Sequence, residues 1–133
     1  MLFSRTAKYG IKALAYLSKI PKGEYRTARV IAEEIEAPEE FLSKIFQRLV
    51  KEGLLYSQRG RGGGFRLSRD SKDISLLEII EIIEGEEFFD NCLFDLKKCG
   101  ENGSCPIHDQ WKPIREKIVD LLRRNTLADI GED

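Results

Sequence analysis

The chain has 133 residues, of which 41% are hydrophobic and 34% charged, with a net charge of −1. This composition fits one soluble globular domain and excludes a membrane-spanning protein, because no apolar run approaches the roughly 20 residues that a bilayer requires. The start also lacks the apolar stretch of a secretory signal, so we expect a cytoplasmic protein that does not associate with membranes.

The charges are unevenly distributed along the chain. Residues 41–72 carry eight basic and two acidic side chains, whereas residues 73–109 carry two basic and ten acidic ones. A basic block of this size in a nearly neutral protein indicates an anion-binding face. A solvated surface that happens to be basic would give the same pattern, so charge alone leaves both interpretations open.

The first 40 residues predict two helices. Apolar side chains at helical spacing predict a helix over residues 4–19, which ends near Pro21 and Gly23. Thr27 can cap a second helix over residues 28–37. We expect three of its side chains to face the core: Val30, Ile31 and Ile35.

A third helix and a hairpin follow. The helix spans residues 39–52, and Gly53 suits its C-terminal cap because glycine readily adopts the left-handed conformation. Its apolar face consists of Leu42, Ile45, Phe46 and Leu49. Residues 54–58 and 65–68 have the pattern of short strands, and the glycine-rich loop between them predicts a β-hairpin.

The second half predicts two more helices. Ser75 and Glu78 form a capping box before a helix over residues 76–84. The last helix, around residues 111–124, must hold Pro113 in its first turn or be kinked by it. A seam with an average period of 3.5 residues consists of the apolar residues Trp111, Ile114, Ile118 and Leu121, and the polar Asn125 continues the same spacing. This period favours packing against a partner helix, and hence a dimer, over an ordinary core-facing stripe.

The order of these elements is that of a winged helix-turn-helix. We therefore predict a mainly α fold with a small β-hairpin wing and a long C-terminal dimerisation helix, in which the third helix enters the major groove. The outer face of that helix supplies the candidate DNA contacts Glu40, Phe41, Ser43, Lys44 and Gln47. Ser43 and Gln47 suit base edges, Phe41 suits a thymine methyl group, and Lys44 suits a phosphate.

The hairpin loop "RGRGGG" offers a second DNA contact. Glycines allow a close approach, so Arg59 and Arg61 project from a slim tip that fits a narrow A·T-rich minor groove. A flexible exposed hairpin with incidental arginines is the alternative. A phosphate-binding loop of the nucleotide-binding kind is excluded, because no Lys-Ser/Thr pair follows the glycines and no helix begins there.

All three cysteines and the only histidine lie within 17 residues: Cys92, Cys99, Cys105 and His108. Thiolates and imidazole bind iron–sulfur clusters and zinc. The wide spacings fit a cluster better than the tight Cys-x2–4-Cys pairs of structural zinc sites. Unligated cysteines in a loop are the alternative.

Several segments resemble a known family. They are "FSRTAKYGIKAL", "FLSKIFQRLVKEGLL", "RGRGGGFRLSR", "SLLEIIEIIEG", the cysteine triplet with its histidine, and "NTLADI" near the C-terminus. Together they resemble the IscR/NsrR-type regulators of the Rrf2 family over nearly the whole chain. The resemblance implies a dimeric winged helix-turn-helix transcription factor whose cluster reports on iron–sulfur supply, nitric oxide or redox state.

Within the family, the sequence is most similar to the IscR-like branch. That branch implies a [2Fe–2S] cluster held by Cys92, Cys99, Cys105 and His108, with [4Fe–4S] or zinc as alternative cofactors. The nitric-oxide-sensing branch takes an acidic ligand from the first helix, where this chain has Lys8.

We therefore expect three regions in one compact domain: a DNA-binding region at 1–72, a linking helix and cluster loop at 73–108, and a dimerisation helix with its tail at 109–133. The expected function is a promoter-binding regulator that senses cluster status and binds a roughly palindromic duplex as a homodimer. The alternatives are a zinc- or thiol-based regulator with the same fold, or an iron–sulfur electron carrier that docks an acidic partner. Catalysis is not expected, because no nucleophile motif accompanies the histidine.

Overall fold

The computed structural model describes residues 3–90 and 107–131. Its elements confirm the predicted mainly helical fold with one small hairpin. The helices are α1 (Arg5–Ser18), α2 (Ala28–Ile35), α3 (Glu39–Lys51), α4 (Leu76–Glu84), α5 (His108–Arg124) and α6 (Leu127–Gly131). The strands are β1 (Leu55–Gln58) and β2 (Gly64–Leu67), and short 3-10 turns cover Ser71–Asp73 and Glu86–Asp90.

Side-chain caps fix the starts of three helices. The hydroxyl oxygens of Ser4, Thr27 and Ser75 each accept a hydrogen bond from the backbone N–H three residues later, at 3.1, 3.2 and 3.1 Å. Each bond satisfies one of the donors that a helix leaves unpaired at its N-terminus. The predicted caps at Thr27 and Ser75 are therefore confirmed.

The end of α2 differs from the prediction. Glu36 adopts the left-handed conformation with φ of 56°, so the helix ends at Ile35 rather than at residue 37. Val30 was expected in the core but is 38% exposed, because the packing side of α2 is centred on Ile31 and Ala32. A helix of eight residues buries only a narrow stripe, and Val30 lies outside it.

The C-terminal helices also differ from the prediction. Since α5 begins at His108, Pro113 lies in the second turn, inside the helix, which excludes the first of the two predicted alternatives. The short helix α6 was not predicted. Its start is stabilised by the carboxylate of Asp129, which accepts a hydrogen bond from the backbone N–H of Thr126 at 2.7 Å.

One hydrophobic core joins the helices to the hairpin. Residues from both halves of the chain are buried in it, with α1 in contact with α2, α3, α4 and α6. Its fully buried side chains include Leu14, Ile31, Leu42, Phe46, Leu49, Leu54, Ile74, Ile79 and Leu127. No helix within residues 3–90 and 107–131 is long and apolar enough to cross a membrane.

Backbone hydrogen bonds fix the C-terminal region against the start of α4. The N–H of Leu76 donates to the carbonyl of Asn125 at 3.0 Å, and the N–H of Leu127 donates to that of Ile74 at 2.9 Å. The end of α5 is therefore held next to the first turn of α4.

Candidate nucleic-acid interface

The outer face of α3 carries the five side chains predicted to read DNA. Glu40, Phe41, Lys44 and Gln47 are exposed, and Ser43 is half-buried. The opposite face is buried in the core through Leu42, Ile45, Phe46 and Leu49, as predicted. Because the apolar face fixes the rotation of the helix about its axis, the polar face must point to solvent.

The hairpin lies against α3. Its strands pair antiparallel with Leu55 opposite Leu67 and Gln58 opposite Gly64. The rings of Phe46 in α3 and Phe65 in β2 are 4.8 Å apart between centroids. Since two aromatic rings in contact resist independent movement, α3 and the hairpin form one packed unit.

The hairpin tip presents the two predicted minor-groove arginines. Arg59 and Arg61 are both exposed. Gly60 and Gly62, which alternate with them, have φ of 90° and 76°. Side chains other than glycine rarely adopt such angles, so these glycines set the sharp turn that leaves the guanidinium groups outermost.

A third chain segment pairs with β2 near the hairpin loop. Arg26 and Phe65 exchange two backbone hydrogen bonds of 3.0 and 2.7 Å, so the residue that precedes the N-cap of α2 pairs with β2. Gly64 makes this approach possible: a Cβ atom there would lie 2.3 Å from the carbonyl oxygen of Arg26. The wing is therefore attached to the start of the helix-turn-helix by backbone contacts.

An aromatic stack that was not predicted from the sequence lies beside the pairing of Arg26 with Phe65. The guanidinium of Arg66 lies 5.3 Å from the ring centroid of Tyr25 and 4.8 Å from that of Tyr56. Each such contact stabilises by about 0.5–1 kcal/mol at a partly exposed site. Tyr56 and Arg66 face each other across the strands, so that half of the stack has a local signal in the hairpin register.

Sequence reasoning also missed two contacts of α3. The ring of Phe41 lies 6.1 Å from that of Tyr9 in α1. Arg48 donates hydrogen bonds from Nη1 to the carbonyl oxygens of Ile83 and Ile82, at 2.9 and 3.5 Å. Residues far apart in sequence make both contacts, so no periodic pattern could reveal them.

The basic and acidic blocks belong to different elements. The basic block covers α3 and the hairpin, whereas residues 73–90 carry seven acidic side chains and no lysine or arginine. Among the described residues, an ion pair joins the two blocks, with Nη2 of Arg69 2.5 Å from the carboxylate of Glu78. This separation of charge would attract a polyanion to the α3 and hairpin side.

The predicted metal ligands are only partly within the described residues. His108 is the first residue of α5 and is half-buried. Cys92, Cys99 and Cys105 lie outside the described residues. The chain on either side of residues 91–106 is fixed by buried aromatic side chains, Phe89 and Trp111, at 9% and 6% exposure.

An apolar surface lies along α5. Ile114 and Leu121 are 51% and 54% exposed, although they are part of the predicted seam, and Ile130 of α6 is 40% exposed. Trp111 of the same seam is buried, so the seam is divided between the core and the surface. An apolar groove adjoins this surface and is lined by Phe3, Ala7, Lys8, Ile11, Lys12, Leu76, Ile80, Leu122 and Ile130.

Comparisons with known proteins agree on one family. The profile of the family described as "Rrf2: Iron-dependent Transcriptional regulator" matches residues 3–133. An HTH-type transcriptional regulator of Aquifex aeolicus is 32% identical over 132 residues, which is 98% of this chain and 91% of the relative.

Two solved structures share the fold. IscR of T. potens matches with a TM-score of 0.75 and 28% identity, over 98% of this chain and 85% of that one. The oxidised form of CymR from Staphylococcus aureus matches with a TM-score of 0.78 and 26% identity, over 100% of this chain and 98% of that one.

Proposed function

Because the chain belongs to the Rrf2 family of DNA-binding transcriptional regulators, we propose that it binds an operator through α3 and the wing. We further propose that an iron–sulfur cluster sets the affinity of this binding. The relatives are regulators of transcription, which confirms the expectation that the chain is not an enzyme. The observation that carries the proposal is the exposed polar face of α3, packed beside an arginine-tipped hairpin within the basic block.

The two halves of this interface have different tasks. Ser43 and Gln47 carry donors and acceptors that distinguish base edges in the major groove. Lys44 contributes positive charge that neutralises a phosphate whatever the sequence. Arg59 and Arg61 enter the adjacent minor groove, where a narrow A·T-rich segment has the most negative potential.

Substitutions on α3 should separate these tasks. We expect Gln47→Ala to reduce discrimination at one base pair by about 10-fold or more, because a base-edge hydrogen bond is lost. We expect Lys44→Ala to weaken binding to all duplexes alike and to lower the slope of log affinity against log salt by about 1. Fluorescence anisotropy checks both, with a duplex selected from a random pool and its single-base variants. A uniform loss from Gln47→Ala would contradict the assignment.

The DNA-binding unit is a homodimer formed through α5. The exposed side chains of Ile114 and Leu121 support this, because they are a heptad apart on one face of α5, which is the spacing of a seam between two paired helices. The groove beside them extends the apolar surface. A two-fold dimer presents two copies of α3 and two wings, which fits a roughly palindromic operator with half-sites about one helical turn apart.

The donor set fits an iron–sulfur cluster. Cys92, Cys99, Cys105 and His108 together offer three thiolates and one imidazole, which suit a [2Fe–2S] centre. When bound, the cluster supplies a group that oxidants, nitric oxide or iron shortage can alter. His108 starts α5, so this ligand joins the cysteine segment to the helix of the proposed dimer.

Anaerobic purification tests the cofactor. We expect coloured protein that contains about two iron atoms and two sulfides per chain, and a Cys92→Ala variant that loses both. Protein that stays colourless and iron-free after reconstitution would contradict the cluster. One zinc ion per chain in its place would identify the zinc form of the regulator.

A thiol-based regulator is the second candidate. The likeness to an oxidised form of CymR favours it, and this chain carries three cysteines in one short segment that could be oxidised. In that case iron-free protein would change its operator affinity on oxidation, and reduction would reverse the change. Mass spectrometry of the three cysteines in both states distinguishes this candidate from the cluster.

A further inference from the structure

The C-terminal turn of α4 has a cationic cap that comes from α3. A helix leaves its last carbonyl groups without partners and carries partial negative charge there. The last turn of α4 contains no basic residue of its own. Arg48 of α3 supplies the missing donor, with Nη1 2.9 Å from the carbonyl oxygen of Ile83 and 3.5 Å from that of Ile82.

The same turn of α4 also contacts the start of α1. The hydroxyl of Ser4, the N-cap of α1, donates a hydrogen bond to the carboxylate of Glu84. Gly10 packs so closely on this turn that a Cβ atom there would lie 2.5 Å from Cδ1 of Ile83. Three helices therefore meet at residues 82–84, where a displacement of one must be shared by the others.

The chain that leaves this turn leads directly to the cysteine segment. Gly85 ends α4 with φ of 100°, and the turn Glu86–Asp90 follows. Phe88 in this turn stacks on Phe3 with ring centroids 5.7 Å apart. Residue 92 is the first cysteine. The turn Glu86–Asp90 therefore connects residues 82–84 along the chain to the segment that carries the cysteines.

On its other side, Arg48 is next to the DNA-reading face of α3. Gln47 precedes it, and Lys44 lies one turn earlier on the same helix. A helix of 13 residues moves as a unit, so a change in how Arg48 is held changes the position of both side chains.

We propose that Arg48 is a positioning residue that couples the turn Glu86–Asp90 to the DNA-reading face of α3; this inference rests on the proposed function. Coupling requires that the bonds from Arg48 to α4 differ between two states of the protein. An arginine suits this role because its guanidinium is always charged and has five N–H donors, of which those on Nη1 lie within reach of two neighbouring carbonyls.

A double-mutant cycle in metal-free, reduced protein tests the coupling. The cycle combines Arg48→Gln with Phe88→Ala, which removes the stack on Phe3. We expect Phe88→Ala to change operator affinity about 10-fold when Arg48 is present and less than about twofold in the Arg48→Gln background. Arg48→Lys should restore part of the effect, because the ammonium group keeps the charge but not the fork.

Arg29→Gln is the matched control. Arg29 is exposed on α2 and pairs with Glu33 of the same helix at 3.4 Å, so Arg29→Gln removes one positive charge and one ion pair without touching α4. Its effect should be additive with that of Phe88→Ala. Phe88→Leu replaces Phe88→Ala if the smaller side chain prevents folding.

Amide hydrogen exchange measures the same double-mutant cycle on protein without DNA. We expect Phe88→Ala to speed amide exchange in α3 only when Arg48 is present. Equal effects of Phe88→Ala in both backgrounds, or none in either, would overturn the inference. These variants are measured without a cofactor, so the test of Arg48 does not depend on the cluster. The proposed control of operator affinity by the cluster is contradicted by a different result: equal operator affinity of cluster-loaded and metal-free wild-type protein.

Discussion

Replacing Ile114 and Leu121 with aspartate is expected to split the dimer and to lower operator affinity by about 100-fold. Both side chains are more than half exposed, so two carboxylates there leave the fold of one chain intact. In a dimer the same carboxylates would face each other in an apolar contact, where charge without a partner is costly. The loss of affinity follows because a monomer binds one half-site without the benefit of the second.

Sedimentation velocity and anisotropy titration check this result. A matched control changes the net charge equally on the opposite side of α5, with Lys112→Gln and Arg123→Gln, which lie about half a turn away. The control should remain dimeric. A double aspartate variant that sediments like wild-type protein would contradict the proposed dimer surface.

Substitution of Gly64 by alanine is expected to detach the wing. Its Cβ atom would lie 2.3 Å from the backbone carbonyl oxygen of Arg26, and its φ of 129° is one that alanine rarely adopts. The two hydrogen bonds between Arg26 and Phe65 must lengthen or break. We expect a loss of about 2–4 kcal/mol in the free energy of unfolding, which corresponds to a decrease in Tm of about 10 °C.

Gly62→Ala is the control for this substitution. Gly62 also has positive φ, 76°, but no atom lies within 4 Å of its would-be Cβ. The cost should therefore be backbone strain alone, about 1 kcal/mol. Calorimetry measures both variants, and operator affinity should fall much further for Gly64→Ala. Equal decreases in Tm would contradict the close approach of Arg26 to the wing.

The parts of the fold that sequence predicted well are those with local causes. The third helix was predicted over residues 39–52 and spans Glu39–Lys51, because its apolar face, its cap at Gly53 and its charged ends all lie within a few turns. The strands agree within one residue of the prediction. Helix α6 also has a local signal that was overlooked, since Thr126 and Asp129 have the spacing of a capping box.

The parts that sequence did not predict depend on contacts between distant residues. Arg26 pairs with Phe65, Arg66 stacks on Tyr25, and Arg48 binds the end of α4. Each joins residues more than 30 positions apart, so neither periodicity nor spacing could indicate it. The exposure of Val30 has the same origin, because the packing of α2 on its neighbours decides which residues it buries.

The predicted DNA contacts and the predicted metal ligands differ in how far the described residues support them. For the DNA contacts, burial of the apolar face of α3 explains why the polar face is presented to solvent. For the ligands, only His108 lies within the described residues, so the cluster rests on donor chemistry and spacing. A direct measurement on the protein must therefore decide whether the cysteine segment controls DNA binding.

Operator affinity of anaerobically purified wild-type protein, compared with that of a Cys92→Ala variant, is that measurement. Wild-type protein and the variant are each used to select duplexes from a random pool. Both proteins are then titrated against both sets of selected duplexes. We expect the two affinities to differ by about fivefold or more for at least one selected duplex, with equal dimer content in both proteins. Equal affinities for every duplex would show that the wing and α3 bind DNA without regulation from the cysteine segment.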